Sequence, residues 1–267
     1  MAESMPVTVN FRFYEELNDF LPEPDRKTGF VRQFTQTGSV KDAIEALGVP
    51  HTEIDLILVN GQSVDFDYRF QDGDRISVYP VFESLDITPI VHLRPAPLRT
   101  PAFVLDAHLG RLAAYLRMLG FDSLYRNDYD DPELAEISSR EHRTLLTRDR
   151  KLLMRKQVTR GYFIRERQPR NQLLEVIHRF DLFSMQRPLT RCMHCNGEIR
   201  KIDKHSIENR LQPRTRAYYS EFWQCQDCGK IYWKGSHYMR MQQLIDSING
   251  GESGPGSKKS ASPEGKF

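Results

Sequence analysis

The four cysteines of this chain fall as two C-x-x-C pairs, Cys192-Met193-His194-Cys195 and Cys225-Gln226-Asp227-Cys228. Each pair can grip one edge of a tetrahedron, so the quartet specifies a closed Zn²⁺ site and folds residues 192–228 back on themselves. Four thiolates leave no open position for a reacting water, so the zinc is expected to be structural. Twenty-nine residues separate Cys195 from Cys225, more than the ~15–20 of a compact ribbon. That insert carries Lys201, Lys204, Arg210, Arg214 and Arg216, then Tyr218, Tyr219, Phe222 and Trp223. Basic groups interleaved with aromatics suit single-stranded RNA. The competing reading, favoured for Phe222 and Trp223, is the small core a ribbon needs.

The chain has 267 residues, enough for two or three compact units. No stretch approaches ~18 consecutive apolar residues, which argues against a transmembrane helix. The start, MAESMPVTVN, lacks a basic region followed by an apolar core, so no secretory signal is read there. The expected compartment is the cytoplasm, where thiols serve as metal ligands more readily than as disulfides. The net charge of +2 conceals an asymmetry. Residues 1–90 hold 7 Lys/Arg against 16 Asp/Glu, and residues 91–267 hold 31 against 20. A basic C-terminal part is expected of a module that meets a polyanion, although an ordinary solvated surface has the same composition.

Three units, one linker and a tail follow from the pattern. In residues 5–85, Val7, Val9, Phe11 and Phe13 alternate as in a half-buried strand, and 30–34 offers a second. Val40, Ala43, Ile44 and Leu47 have helical spacing before Gly48. Residues 54–59 form an apolar strand running into the tight-turn pair Asn60-Gly61, and Ile76, Val78 and Tyr79 follow another turn. Strand, strand, helix, strand, strand reads as a β-grasp. Pro89, Pro95 and Pro97 mark 86–100 as a linker. Residues 101–183 alternate strands (102–105, 121–125, 144–147, 162–164) with helices (108–119, from Pro132, 151–156, 173–180), which implies a parallel sheet. Asp131-Pro132 is read as an N-cap followed by proline at the first helical position. Residues 188–240 carry the cysteines. Residues 250–267 are Gly/Ser/Pro/Lys-rich and are expected to be a disordered tail.

In open α/β sheets, ligands meet the carboxyl ends of the strands. Asp106 ends the first strand of the central unit, Asp149 follows the third, and Asp128, Asp130 and Asp131 follow the second. Carboxylates gathered at one edge suit Mg²⁺ or Mn²⁺ rather than zinc. Such a cation activates water and neutralises charge on a phosphodiester. Arg140, Arg143, Arg148, Arg150, Lys151, Arg155 and Lys156 form a basic run suited to a phosphate backbone. Each acid also has a plain reading as a helix cap, a turn residue or a solvated loop charge.

Two resemblances sharpen this. ILVNGQSVDFDYRFQDGDRISVYP resembles ubiquitin-like folds of the sulfur-carrier type. Carriers of that type end in Gly-Gly, whereas VFESLDITP follows here, so their conjugation chemistry is not implied. FVLDAHLGRLAAYLRMLGFDSLYRNDYDDPELAEISSREHRTLLTRDRKLL, followed by CMHC and EFWQCQDCGKIYWKGSHYMRM, resembles the PIN-like RNase domain of the Mut-seven C-terminal family. The ubiquitin-like domain is often fused to it. The resemblance implies a ribonuclease that cuts RNA with a divalent metal. It puts the family's first acid on Asp106, the acid of its TRD motif on Asp149, and its middle acids in NDYDDPEL, with Asp130 and Asp131 ahead of Glu133. The expectation is an α/β protein with an N-terminal β-grasp, a central PIN-like parallel α/β sheet and a C-terminal zinc ribbon. Its partners would be RNA and, through the ubiquitin-like domain, a protein. The alternatives are a non-catalytic RNA-binding module and a ubiquitin-like adaptor.

Overall fold

The computed structural model describes residues 6–80, 93 and 100–249. Most of the expected linker, and all of the expected tail at 250–267, lie outside the described residues.

The first unit is a five-stranded sheet in the order β2-β1-β5-β3-β4. Its elements are β1 (Val7–Phe13), β2 (Gly29–Phe34), α1 (Val40–Ala46), β3 (Ile54–Val59), β4 (Gln62–Val64) and β5 (Arg75–Pro80). β1 pairs antiparallel with β2 and parallel with β5, the arrangement of a β-grasp. The alternation in β1 buries Val9, Phe11 and Phe13, each worth about 1.5–3 kcal/mol when removed from water, against Ile44 of α1. The Ser39 hydroxyl caps α1 by accepting the Asp42 N–H at 3.0 Å. Asn60 and Gly61 both have positive φ, 51° and 86°, as a two-residue hairpin turn needs. The hairpin adds β4, a short edge strand that the sequence pattern did not reveal.

The central unit is a four-stranded, all-parallel sheet in the order β7-β6-β8-β9. It comprises β6 (Ala102–Leu105), α2 (Gly110–Met118), β7 (Asp122–Tyr125), α3 (Asp131–Arg140), β8 (Thr144–Thr147), α4 (Arg150–Leu153), β9 (Gly161–Phe163) and α5 (Pro169–Arg179). Phe103 and Leu105 pack with α2 and α5 on one face, and Val104 packs with α3 and α4 on the other. Burial on both faces explains why these strands read as apolar runs.

The third unit is a three-stranded antiparallel ribbon, β10 (Ile199–Ile202), β11 (Phe222–Cys225) and β12 (Ile231–Trp233), with α6 (Pro213–Tyr218) in the insert. It is followed by α7 (Ser236–Asn249). The sequence reading ended this unit at 240 and did not recognise α7. Met241, Ile245 and Ile248 return to the core beneath α2 and α5, so the ribbon is bracketed by the α/β unit.

The flanking units seal both edges of the parallel sheet. On β9, the outward Phe163 N–H donates to Glu53 Oε1 at 2.7 Å. On β7, the Ser123 N–H donates to Asn196 Oδ1 at 3.0 Å. Open edges invite wrong pairing, and each is closed here by one side chain. The β-grasp contact is broad. Arg165 pairs with Glu53 at 3.1 Å and with Asp19 at 3.2 Å. Arg150 donates to the Phe20 carbonyl at 3.0 Å, His51 Nε2 donates to the Val158 carbonyl at 2.9 Å, and Phe20 meets Phe163 edge-on.

Candidate active site and cysteine centre

Parallel strands bring the ends of β6, β8 and β7 to one edge of the sheet, and the predicted acids sit there. The Asp106 N–H donates to the Leu146 carbonyl at 3.1 Å, so the β6–β8 register continues one residue past the strand. This seats Asp106 beside Thr147. Thr147 Oγ1 donates to Asp106 Oδ2 at 2.7 Å and itself accepts the Asp149 backbone N–H at 2.9 Å. Thr147 is fully buried, so its hydroxyl is a fixed link between the two acidic positions. Asp149 Oδ1 accepts the Lys151 N–H at 2.8 Å and caps α4.

The middle acids divide their roles differently from the sequence reading. Asp130, not Asp131, is the N-cap of α3, because its Oδ1 accepts the Glu133 N–H at 2.8 Å. Asp131 is the first helical residue and faces Arg155, with 3.7 Å between charged atoms. Asp128 pairs with Arg126 at 2.7 Å, and that guanidinium holds its carboxyl below the ordinary carboxylate range. Arg126 also reaches Glu133 at 3.3 Å. Thus Asp106 and Asp149 are joined through Thr147, while Asp130 and Asp131 remain on the α3 side. Among the described residues, the cysteines are the one group of three or more His, Cys, Asp and Glu whose ligand atoms crowd together; the four aspartates do not form such a group.

Five of the seven residues of the basic run have partners within the protein. Arg140 pairs with Glu136 and Glu141. Arg143 pairs with Asp122 and Glu141. Arg148 donates to the carbonyls of Arg165 and Glu166, Arg150 to those of Phe20 and Asp19, and Arg155 faces Asp131. Arg143 and Arg150 are half-buried in these contacts, whereas Arg140, Arg148 and Arg155 make theirs at the exposed surface. In the insert, Phe222 is buried, as a ribbon core residue should be, and Lys201 and Arg216 are paired with Glu221 and Glu208. Tyr218, by contrast, is 81% exposed on α6.

All four cysteine sulfurs lie within 4.8 Å of one another, with Cys192–Cys228 at 3.7 Å and Cys195–Cys225 at 3.4 Å. A tetrahedral thiolate shell with Zn–S of about 2.3 Å needs S–S separations of about 3.8 Å, so the quartet fits a zinc ion. Burial works against ionisation of Cys192, but the Tyr232 hydroxyl at 3.0 Å and neighbouring backbone N–H groups bring it down to about 7. Burial and the three other sulfurs push Cys195 up to about 12. Thiolates this close repel one another, and a divalent cation cancels that repulsion.

The first knuckle is tied to the sheet by a buried arginine that sequence reading missed. Arg117 is 4% exposed and donates to the carbonyls of Ser123, Met193 and His194 at 2.8, 3.2 and 2.9 Å. Asn196, at φ 73°, donates through Nδ2 to Asp122 Oδ1 at 2.7 Å. Burial would raise the Asp122 pKa, but bonds from Arg143 and Asn196, helped by the Arg191 charge, hold it below the ordinary carboxylate range. A buried arginine in an otherwise apolar helix face was the available signal.

A family model described as the Mut7-C RNAse domain matches residues 101–245, more than half of the chain. The chain belongs to the Mut7-C RNase family. A second model, Mut7-C ubiquitin, matches residues 6–86. The Mut7-C RNase span takes the parallel sheet and the ribbon together, in keeping with the bonds from Arg117 and Asn196. No curated protein and no solved structure matches the chain. Among the described residues, no helix is long and apolar enough to cross a membrane.

Proposed function

We propose that this protein is a divalent-metal-dependent ribonuclease that hydrolyses RNA phosphodiester bonds at the sheet edge carrying Asp106 and Asp149. The observation that carries the reading is the Asp106–Thr147–Asp149 link in a chain of the Mut7-C RNase family. Asp106 and Asp149 are the proposed ligands from β6 and β8, with Asp130 or Asp131 contributed from the start of α3. Oxygen-only donors suit Mg²⁺ or Mn²⁺. When bound, such an ion supplies an activated water and neutralises phosphodiester charge. Thr147 fixes the Asp106 carboxylate by donating to Oδ2. Arg155 balances Asp131. The cysteines hold a structural Zn²⁺ that completes the ribbon, and a reducing cytoplasm keeps the thiols available for it. The test is cleavage of RNA with Mg²⁺ or Mn²⁺ by the purified protein, lost in Asp106→Asn and Asp149→Asn variants that retain zinc and melt as the parent does.

A second reading is favoured by one observation: the aspartates do not crowd together, whereas Tyr218 and Trp233 are exposed on the ribbon. Under it, the protein binds RNA by stacking without cutting it. Salt-dependent RNA binding with no cleavage under any divalent metal would select this reading. In either case the β-grasp unit acts in cis on β9, and its outer strand β2, with Val31 52% exposed, is left for a protein partner.

A further inference from the structure

A cleft of about 420 Å³ opens directly beside Asp106, on the α2 and α5 side of the sheet. Ala107, the residue after Asp106, is part of its wall, as are His108, Arg111, Tyr125, Arg167 and Gln172. The wall is rigidly made. The Tyr125 hydroxyl donates to the Ala107 carbonyl at 2.9 Å and lies against Gly110, where a Cβ would come within 2.6 Å of it. Gln172 is buried, and its amide donates to the Glu166 carbonyl at 3.0 Å, which holds the segment carrying Arg167 against α5.

The charge of this cleft is unusual for the molecule. No carboxylate lines it, and neither Arg111 nor Arg167 has an ion-pair partner among the described residues. Elsewhere Arg126, Arg140, Arg143 and Arg155 each meet an acid. A second cleft of about 500 Å³, between β7 and the ribbon, is lined by both Arg191 and Arg200 and by Glu198 and Asp227. Mixed charge of that kind selects no polyanion. Guanidinium groups left without an acid on a concave wall suit a phosphate, which two arginine forks can grip with charge-assisted bonds.

We propose that this cleft binds a backbone phosphate of the RNA strand next to the bond cut at Asp106, with Arg111 and Arg167 as its principal donors and His108 as a third. The proposal rests on the ribonuclease reading and names the substrate contact that reading lacks. Ala107 of the cleft wall adjoins Asp106, so a strand leaving the cleft along the sheet edge reaches the acids there. No residue of the basic run 140–156 lines this cleft.

The test measures binding of a single-stranded RNA oligonucleotide to the Asp106→Asn variant without divalent metal, by fluorescence anisotropy over a range of salt. Adding Arg111→Gln and Arg167→Gln is expected to weaken binding about tenfold or more and to reduce the log–log salt slope by about 0.7, for one lost phosphate contact on a single strand. Arg111→Lys with Arg167→Lys restores the slope. The charge-matched pair Lys27→Gln and Arg75→Gln, on the β-grasp unit, changes neither quantity. Unchanged affinity and slope in a well-folded double Gln variant would overturn the cleft, while RNA cleavage by the parent would leave the ribonuclease reading standing. Absence of both RNA binding and RNA cleavage would overturn both.

Discussion

Glu53 and Asn196 occupy matching positions on opposite edges of the nuclease sheet. Each accepts the outward backbone N–H of an edge strand, Glu53 from Phe163 on β9 and Asn196 from Ser123 on β7. One belongs to the β-grasp unit and the other to the first cysteine knuckle. The parallel sheet is therefore closed by its two neighbours, and three units that look separable in sequence share one framework.

The β9 edge gives the first prediction. Glu53 is 1% exposed and carries both the Phe163 N–H and the Arg165 guanidinium. Burial alone would lower the Arg165 pKa, but the Glu53 carboxylate outweighs it and raises it. Glu53→Ala leaves the buried Phe163 N–H without its acceptor and leaves the Arg165 guanidinium with Asp19 as its remaining acid. The expected loss is about 3 kcal/mol, at the low end for a broken buried pair because Arg165 is partly solvated. Urea unfolding measures it, and amide exchange at Phe163 should accelerate.

On the β7 edge, removal of the proposed zinc should act through the knuckle on the sheet. Arg117 holds the Met193 and His194 carbonyls, so a loosened knuckle frees both Arg117 and Asn196. Cys192→Ser or prolonged chelation is expected to lower the melting temperature and to speed amide exchange at Ser123. Exchange in β1 and β5 of the β-grasp unit should be unchanged. Arg117→Leu, with zinc present, is expected to cost about 3 kcal/mol, because three carbonyls lose a charged donor.

Asp122 sets a pH dependence. Its folded pKa lies below the ordinary value of about 3.9, so it binds fewer protons folded than unfolded as acid is added. Its stabilising contribution is complete above that ordinary value and is lost as the pH falls through the folded pKa. Asp122→Asn should therefore melt lower than the parent at pH 7. The difference should shrink below about pH 4 and close in stronger acid. A difference that grows on acidification would contradict the assignment.

Thr147 is a positioning residue in this account. Thr147→Val keeps the shape of the side chain and removes the link between Asp106 and Asp149. Loss of an outer hydrogen bond of this kind costs about 10–100-fold in metal affinity or activity. The expected signature is weaker Mn²⁺ binding together with slower cleavage, and recovery of both in Thr147→Ser. A variant that loses stability alone, with metal affinity intact, would reduce Thr147 to a structural hydroxyl.

Much of the fold is local in origin and was legible. The alternation in β1, the Asn60-Gly61 turn and the apolar strands of the parallel sheet each follow from spacing within a few residues. The cysteine quartet is legible for the same reason, since each knuckle is a short-range pattern. The Asp130/Asp131 slip is a matter of register: Asp130-x-x-Glu133 has capping spacing, and the bond to the Glu133 N–H decides it over the proline signal. The internal partners of the arginines were not legible, because an arginine's partner is set by the tertiary fold. Arg143 meets Asp122 across 21 positions, and Arg165 meets Glu53 across 112. Arg111 and Arg167 are also far apart in sequence, and only the packing of α2 against α5 puts them on one cleft wall.

The most direct measurement of the central claim is cleavage of a labelled single-stranded RNA by the purified, zinc-loaded protein, with Mn²⁺ or Mg²⁺ against EDTA, alongside Asp106→Asn and Asp149→Asn. The account predicts metal-dependent cleavage by the parent and none by either variant, with RNA binding and melting temperature retained. Cleavage that persists in both variants, or that is indifferent to EDTA, would contradict it.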